Sequence, residues 1–357
     1  MAGFSEMVPL APQTTIGLGG PARFFAEAGS DLELRDALQA ARSQDLTVQI
    51  LGGGSNTVFA DAGYPGLVLH IALRGITFVS DGDAVLATAA AGEDWDAFVA
   101  LCLQQGLQGL ECLSGIPGSV GATPIQNVGA YGQEISQTLV SLRALDRERL
   151  EEVLFASADC GFAYRDSRFK GEDAGRYVIT EVTYRLQKNA RPTLHYPELA
   201  REAQARGVAD APPKKALQET RQAVIALRRG KSMVYDPLDA NSHSVGSFFL
   251  NPVLDDAAYR MLRERLRVRF PDNPPEPPSF PADGGRKIPA AWLIERAGFV
   301  RGLRRGGAGI SLNHTLALVN YGGTTSELLE LAEEIESGVE RAFGVRLRPE
   351  PVIVPGG

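Results

Sequence analysis

At 357 residues the chain has the length of two or three domains, each able to bury its own core. Lys and Arg number 36 against 43 Asp and Glu, a net charge of −7, which argues against a nucleic-acid-binding surface while leaving a local basic pocket open. A hydrophobic content of 44% with 22% charged residues excludes a disordered chain, no apolar run approaches a membrane span, and residues 1–30 lack the pattern of a signal peptide, so a cytoplasmic protein without membrane insertion is expected.

In chain order, Ser30-Asp31-Leu32-Glu33 has the form of a capping box. Leu34, Ala37, Leu38 and Ala41 then recur on one face, predicting a helix over 30–43. The β-prone residues 47–51 run into Gly52-Gly53-Gly54-Ser55-Asn56, and 57–59 and 66–71 read as further strands, so the glycine loop joins strand to strand. Residues 84–89 alternate, and Trp95, Phe98, Val99, Leu101 and Cys102 make a helical stripe closed by Gly106. Strands are predicted at 138–145 and 177–186, the second with Val178, Thr180 and Val182 alternating against Ile179, Glu181 and Thr183. Up to about residue 188 this is an α+β unit rich in antiparallel or mixed strands.

Residues 189–230 carry Pro192, Pro197, Pro212, Pro213 and many charges ahead of an amphipathic segment over 217–229 with Val224, Ile225 and Leu227 apolar; they read as a connection between domains that contains helix. Six prolines in 271–281 make an extended loop rather than a domain linker, because periodic apolar segments resume on both sides. From 324 to 343 a Thr324…Glu327 capping box, a stripe of Leu328, Leu331, Ala332, Ile335, Val339 and Ala342, and a stop at Gly344 predict a long helix.

Several stretches carry groups suited to chemistry. Gly52-Gly53-Gly54 lets a ligand approach the backbone and its N–H groups can form an anion site, although a tight turn needing positive φ explains the run equally. The absence of a following Gly-Lys-Ser/Thr excludes a P-loop, and the strand-like segment that follows speaks against a Rossmann turn. In the stretch from Ile116 to Gly132, two prolines fix φ, four glycines permit close approach, and Gln126 and Asn127 supply donors and acceptors, a set that suits a diphosphate and a ring heterocycle. An elaborate structural loop is the alternative. Arg165, beside Tyr164, offers a planar fork for a carboxylate or phosphate, or else a surface salt bridge. Ser247 lies between Gly246 and Phe248-Phe249, where a positioned hydroxyl can protonate a carbanion, or simply pack. Glu350, between Pro349 and Pro351, is a functional acid or a solvated one. The three cysteines, Cys102, Cys112 and Cys160, show no C-x-x-C spacing, and the four histidines are scattered. Reduced thiols, no metal site and no Ser-His-Asp triad are expected.

Taken together and in this order, Thr15-Ile16-Gly17-Leu18-Gly19-Gly20-Pro21-Ala22, the Gly52–Asn56 loop, Ile116 to Gly132, Tyr164-Arg165-Asp166-Ser167, Gly246-Ser247-Phe248-Phe249 with Asn251-Pro252, and Pro349-Glu350 resemble the UDP-N-acetylenolpyruvoylglucosamine reductases over nearly the whole chain. The resemblance implies an α+β protein with the FAD-binding fold of the vanillyl-alcohol-oxidase type and a separate α+β substrate-binding domain. It implies NADPH-dependent, FAD-mediated reduction of UDP-N-acetylglucosamine enolpyruvate to UDP-N-acetylmuramate in peptidoglycan precursor synthesis, and so in wall biogenesis, cell shape and division. Hydride would come from flavin N5, the proton from Ser247, and Arg165 with Glu350 would stabilise the substrate carboxylate and the enolate-like intermediate. FAD would be held by Leu51, Gly52, Gly53, Gly54, Ser55 and Asn56, and by Ile116, Pro117, Gly118, Ser119, Gly121, Ala122, Gln126, Asn127, Gly129, Ala130, Tyr131 and Gly132. These loops contain neither His nor Cys, so non-covalent FAD is expected.

Tyr164, Tyr196, Lys231 and Asn251 would bind substrate. Tyr196, in Leu194-His195-Tyr196-Pro197, fits the substrate-closing loop of one subclass, and Lys231 matches a lysine near the diphosphate. Leu250, where relatives often have a basic residue, and the run Asn241-Ser242-His243-Ser244 depart from the pattern. The domains are expected as a first FAD subdomain over 1–75 joined by the strand 345–357, a second over 76–227, and a substrate domain over 228–344. Small molecules are the expected ligands, with no nucleic acid and no obligate protein partner. The rival reading is an FAD oxidase or dehydrogenase of the same fold acting on another substrate.

Overall fold

Local signals decide the helix starts in a computed structural model that describes residues 4–356. The Ser30 hydroxyl accepts the Glu33 N–H at 3.3 Å and opens α1, Asp31–Ser43, whose buried Leu34, Ala37, Leu38 and Ala41 are the predicted stripe. Asp94 accepts the Ala97 N–H at 2.8 Å to start α2, Trp95–Gln104, and Gly106 follows with φ +76. The described residues group into two units, the first made of 4–8, 22–54 and 64–234 and the second of 9–21, 55–63 and 235–356.

In the first unit, strands Pro21–Ala28, Tyr64–Ile71 and Val48–Leu51 lie side by side and parallel, with Ser5–Pro9 at the edge. α1 buries its apolar face with Leu67, Leu69 and Ile71. A second sheet is antiparallel, in the order Glu152–Ala156, Leu139–Asp146, Tyr177–Lys188, Ala84–Ala90, Ile76–Asp81. Its Tyr184 packs with Trp95 and Phe98 of α2 in a core of its own. The strict alternation predicted for 177–186 is interrupted. Arg143 pairs with Glu181 but Ala144 with Ile179, a bulge at Thr180 that turns Ile179 to the same core as Val182 and sends Val178 to the α1 core.

The segment read as an inter-domain connection is instead part of the first unit. It forms α3, Pro197–Ala205, and α4, Pro213–Arg229. Leu217 enters the α2 core, and Val224 packs with Leu199 and Cys112. Pro197, Pro212 and Pro213 sit at helix starts, where a missing N–H costs nothing, so they open helices rather than prevent them.

The second unit has one large core, built on α5 (Asp256–Arg269), α6 (Ala290–Ala297) and α7 (Thr325–Phe343). α7 carries the predicted reciprocal cap, with Glu327 N–H on the Thr324 hydroxyl at 3.2 Å and Thr324 N–H on the Glu327 carboxylate at 2.9 Å. Leu328, Leu331, Ile335 and Val339 are buried, with Phe343 completing the stripe, while Ala342 is half-buried beside it. Segments 9–21 and 55–63, which sequence order places with the first FAD subdomain, group here for clear reasons. Thr57–Phe59 pairs in parallel with Val352–Val354, Asp61 accepts the Thr325 and Ser326 N–H groups at 2.7 and 2.9 Å, and Ile16 and Leu18 enter the core. A Cβ on Gly20 would fall 2.1 Å from the Asp61 carbonyl oxygen, so this turn requires glycine.

Candidate active site

In the first unit the two glycine-rich stretches of the sequence meet. A Cβ on Gly52 would lie 2.6 Å from the Ser119 hydroxyl and one on Gly53 2.7 Å from Gly118 Cα, so the loops run backbone against backbone. The second loop is stitched to the entry of α2: Trp95 N–H bonds to the Gly118 carbonyl at 3.0 Å, Val120 N–H to Glu93 at 2.9 Å and Gly121 N–H to Ala91 at 2.9 Å. Two side-chain-poor loops in register fit the diphosphate of a dinucleotide, which needs N–H groups and close approach more than charge. Leu51 is buried at the end of its strand, anchoring the first loop.

Asn127 behaves differently from its sequence reading. Its amide donates to Glu134 at 2.9 Å and to the Ala163 carbonyl at 3.0 Å, and accepts the Ser136 N–H at 3.2 Å. The groups that looked suited to a ligand hold the loop together, at a residue with φ +45. Arg165, also left-handed with φ +54, reaches back to the same loop. Its guanidinium donates to the Asn127 carbonyl at 3.4 Å and to the Gly129 carbonyl, lies 3.9 Å from Glu134, and stacks over Tyr164 at 5.4 Å. Tyr164 and Arg165 are therefore placed against the 116–132 loop.

Tyr196 and Lys231 are each anchored at the start of α3. Tyr196 precedes Pro197 at the start of α3 and meets Tyr131 edge to face, with ring centroids 5.4 Å apart. Lys231, just past α4, holds Glu198 of the same α3 turn at 2.7 Å. Burial pushes the Tyr131 hydroxyl up to about 12. Burial likewise lowers the Arg228 guanidinium, whose Nε has no hydrogen-bond partner among the described residues.

Sequence reading missed Asp96, Arg221, Arg228 and Glu198. Asp96 takes the Arg221 fork, one arm at 2.8 Å, and the Gly115 N–H at 2.6 Å, directly ahead of Ile116. Burial opposes its charge, but these hydrogen bonds outweigh that and keep the carboxyl below the usual range. The only sequence hint was an acid in the first turn of a predicted helix.

In the second unit, an isolated bridge pairs Phe249 with Pro349, with Glu350 N–H on the Phe248 carbonyl at 2.8 Å and Leu250 N–H on the Arg348 carbonyl at 2.9 Å. The backbones of the Ser247 and Glu350 segments are thus neighbours, and both residues are half-buried. Gly246 enables the turn with φ +77. Asn56 joins them: it donates to the Glu350 carbonyl at 3.5 Å and its own carbonyl accepts the Val352 N–H at 2.9 Å. Asn251 accepts the Ala290 N–H at 2.8 Å at the start of α6.

Comparison with known proteins adds the following. Residues 236–354 match the profile of the UDP-N-acetylenolpyruvoylglucosamine reductase C-terminal domain, and residues 22–149 that of an FAD binding domain. A UDP-N-acetylenolpyruvoylglucosamine reductase of Thermobifida fusca is 47% identical over 98% of this chain and 98% of its own length. That of Streptomyces coelicolor is 48% identical over 97% of this chain and 89% of its own. The crystal structure of a reductase of this name from Thermus caldophilus superposes with a TM-score of 0.66 at 24% identity, covering 99% of this chain and 100% of that one.

Proposed function

The chain belongs to the UDP-N-acetylenolpyruvoylglucosamine reductase family, and from that premise we propose that it reduces UDP-N-acetylglucosamine enolpyruvate to UDP-N-acetylmuramate, with NADPH as electron donor. It is an FAD-binding oxidoreductase, an α+β protein with the FAD-binding fold of the vanillyl-alcohol-oxidase type. The observation that carries the finer reading is the stitch of 247–250 to 348–350, which sets a half-buried hydroxyl and a carboxylate on neighbouring main chains.

The 51–54 and 116–132 loops, with Ser55 and Asn56, would hold FAD non-covalently, and the flavin would supply hydride transfer when bound. The chain's own residues do the rest. Arg165, its fork steadied on the carbonyls of Asn127 and Gly129, and Glu350 hold the substrate carboxylate and stabilise charge that builds beside it. The enolpyruvyl double bond gains a hydride at its terminal carbon and a proton at the carbon bearing the carboxylate. Ser247 Oγ delivers that proton; a hydroxyl is a weak acid in water, but proximity to a carbanion removes the encounter cost. Tyr196 and Lys231 bind the diphosphate end, with Tyr164 and Asn251 as further substrate contacts. We place the reaction in peptidoglycan precursor synthesis, in the cytoplasm, without a protein partner.

The test is a substrate-dependent NADPH oxidation assay. Yellow protein should bleach with NADPH and regain its colour on addition of UDP-N-acetylglucosamine enolpyruvate, with UDP-N-acetylmuramate as product. Reduced protein that this substrate cannot reoxidise would instead favour a flavoenzyme of the same fold with another substrate. Acid precipitation should release the flavin into the supernatant.

A further inference from the structure

Lys231 is not waiting as a free cation in this structure. Its ammonium lies 2.7 Å from Glu198, and the two side chains are 34% and 33% exposed, so solutes can reach the pair. Glu198 stands in the first turn of α3, two residues beyond Tyr196. The surroundings are cationic and aromatic. Arg228, at the end of α4, is half-buried with its buried Nε unpartnered among the described residues and donates to the Met233 carbonyl at 2.6 Å; the Tyr131 hydroxyl feels both Arg228 and Glu198. Arg228 lies in the field of Asp96, so the charge that Glu198 balances is that of Lys231.

We propose that Glu198 is the resident anion of the diphosphate subsite, a carboxylate that neutralises Lys231 until a nucleoside diphosphate takes its place. The role rests on the assignment of Tyr196 and Lys231 to substrate. Two phosphate groups bring more negative charge than one carboxylate, and a Glu198 retained on Lys231 would repel them, so binding exchanges one anion for the other. The same exchange releases the α3 turn that begins at Tyr196. Closure of the tyrosine and capture of the diphosphate become one event, and affinity is reduced by the competition.

The probe is uridine diphosphate, titrated calorimetrically into the FAD-loaded protein at low ionic strength. Glu198→Gln should bind it roughly 2- to 5-fold more tightly, the range an exposed ion pair permits. Lys231→Gln should bind it more weakly, and in the Lys231→Gln background Glu198→Gln should gain less than it does in the parent, because the competition for Lys231 is gone. The gain should also shrink as salt is added. Structural damage does not raise affinity, so the sign of the change carries the result. If Glu198→Gln binds equally or more weakly while Lys231→Gln binds more weakly, Glu198 orders the turn and the competition is refuted. If Lys231→Gln binds like the parent, the substrate assignment of Lys231 fails and takes the proposal with it.

Discussion

The two units carry their candidate groups by opposite means. In the first unit two glycine-rich loops pack closely: Gly52 and Gly53 abut Ser119 and Gly118 with no room for a Cβ, and bonds from Trp95, Val120 and Gly121 hold the second loop in place. In the second unit the groups of interest are side chains, Ser247 and Glu350, carried on segments that an isolated bridge at Phe249 and Pro349 draws together. A site made of backbone is vulnerable to added atoms and tolerant of changes elsewhere. A site made of side chains is vulnerable to the loss of a single functional group, while its scaffold survives the change.

The largest effect should come from the second unit. Ser247→Ala is expected to leave flavin reduction by NADPH within a few-fold of the parent, while reoxidation by substrate falls by about 10² or more, as for the loss of one positioned acid. Rapid mixing of each half-reaction decides it, and equal slowing of both would erase the contrast between the units. Glu350→Gln and Arg165→Lys should slow the same half-reaction, the latter because a point ammonium cannot reproduce a fork.

Tyr196→Phe probes a side-chain contact placed on the first unit. Loss of a hydrogen bond to a charged group should weaken substrate binding by roughly 1.5–3 kcal/mol, with a smaller effect on hydride transfer. Unchanged substrate affinity in stopped-flow traces would remove the tyrosine from the site. Gly53→Ala attacks the backbone cradle by adding one methyl group 2.7 Å from Gly118 Cα, and overpacking of this kind costs about 1–3 kcal/mol. The expected signature is protein purified with less flavin per chain. Full flavin content would show that the loops can part without consequence.

The smallest change sharpens the comparison, because Asp96 is where the first unit does depend on charge. Asp96→Asn should lower stability at pH 7 by about 1 kcal/mol, from weaker bonds to Arg221 and Gly115. The folded-state pKa of Asp96 is depressed, so its contribution is present above the unfolded value near 4 and is lost as pH falls through the folded one. Denaturant titrations should therefore show wild type and Asp96→Asn converging in acid. A gap that persists in acid strong enough to protonate Asp96 in the folded protein as well would mean that shape, not charge, matters there.

Local chemistry was legible in the sequence wherever it is complete within a few residues. The N-cap at Ser30, the capping box at Thr324, the stripes of α1 and α7, the glycine stop at Gly344 and the two glycine-rich loops stand where the sequence places them, although Glu33 closes back on the Gly29 N–H rather than on that of Ser30. Each depends on neighbours within a turn or two, so the pattern contains its own cause. The family resemblance, carried by the motifs and their order, was legible for the same reason.

What depended on distant partners was not. The proline-rich run at 189–230 looked like a connection until α3 and α4 were seen to bury Leu199, Leu217 and Val224 in the first unit. The Asn127 amide looked free for a ligand but is taken by Glu134, Ala163 and Ser136. The bulge at Thr180 follows from the strand opposite, and the Lys231–Glu198 pair from the packing of α3 on α4. The sequence by itself determined the turns, caps, faces and motifs, because they are local. Only the tertiary structure decided which segments share a core, which polar groups are already satisfied and which charges meet, because those outcomes depend on contacts between residues far apart along the chain.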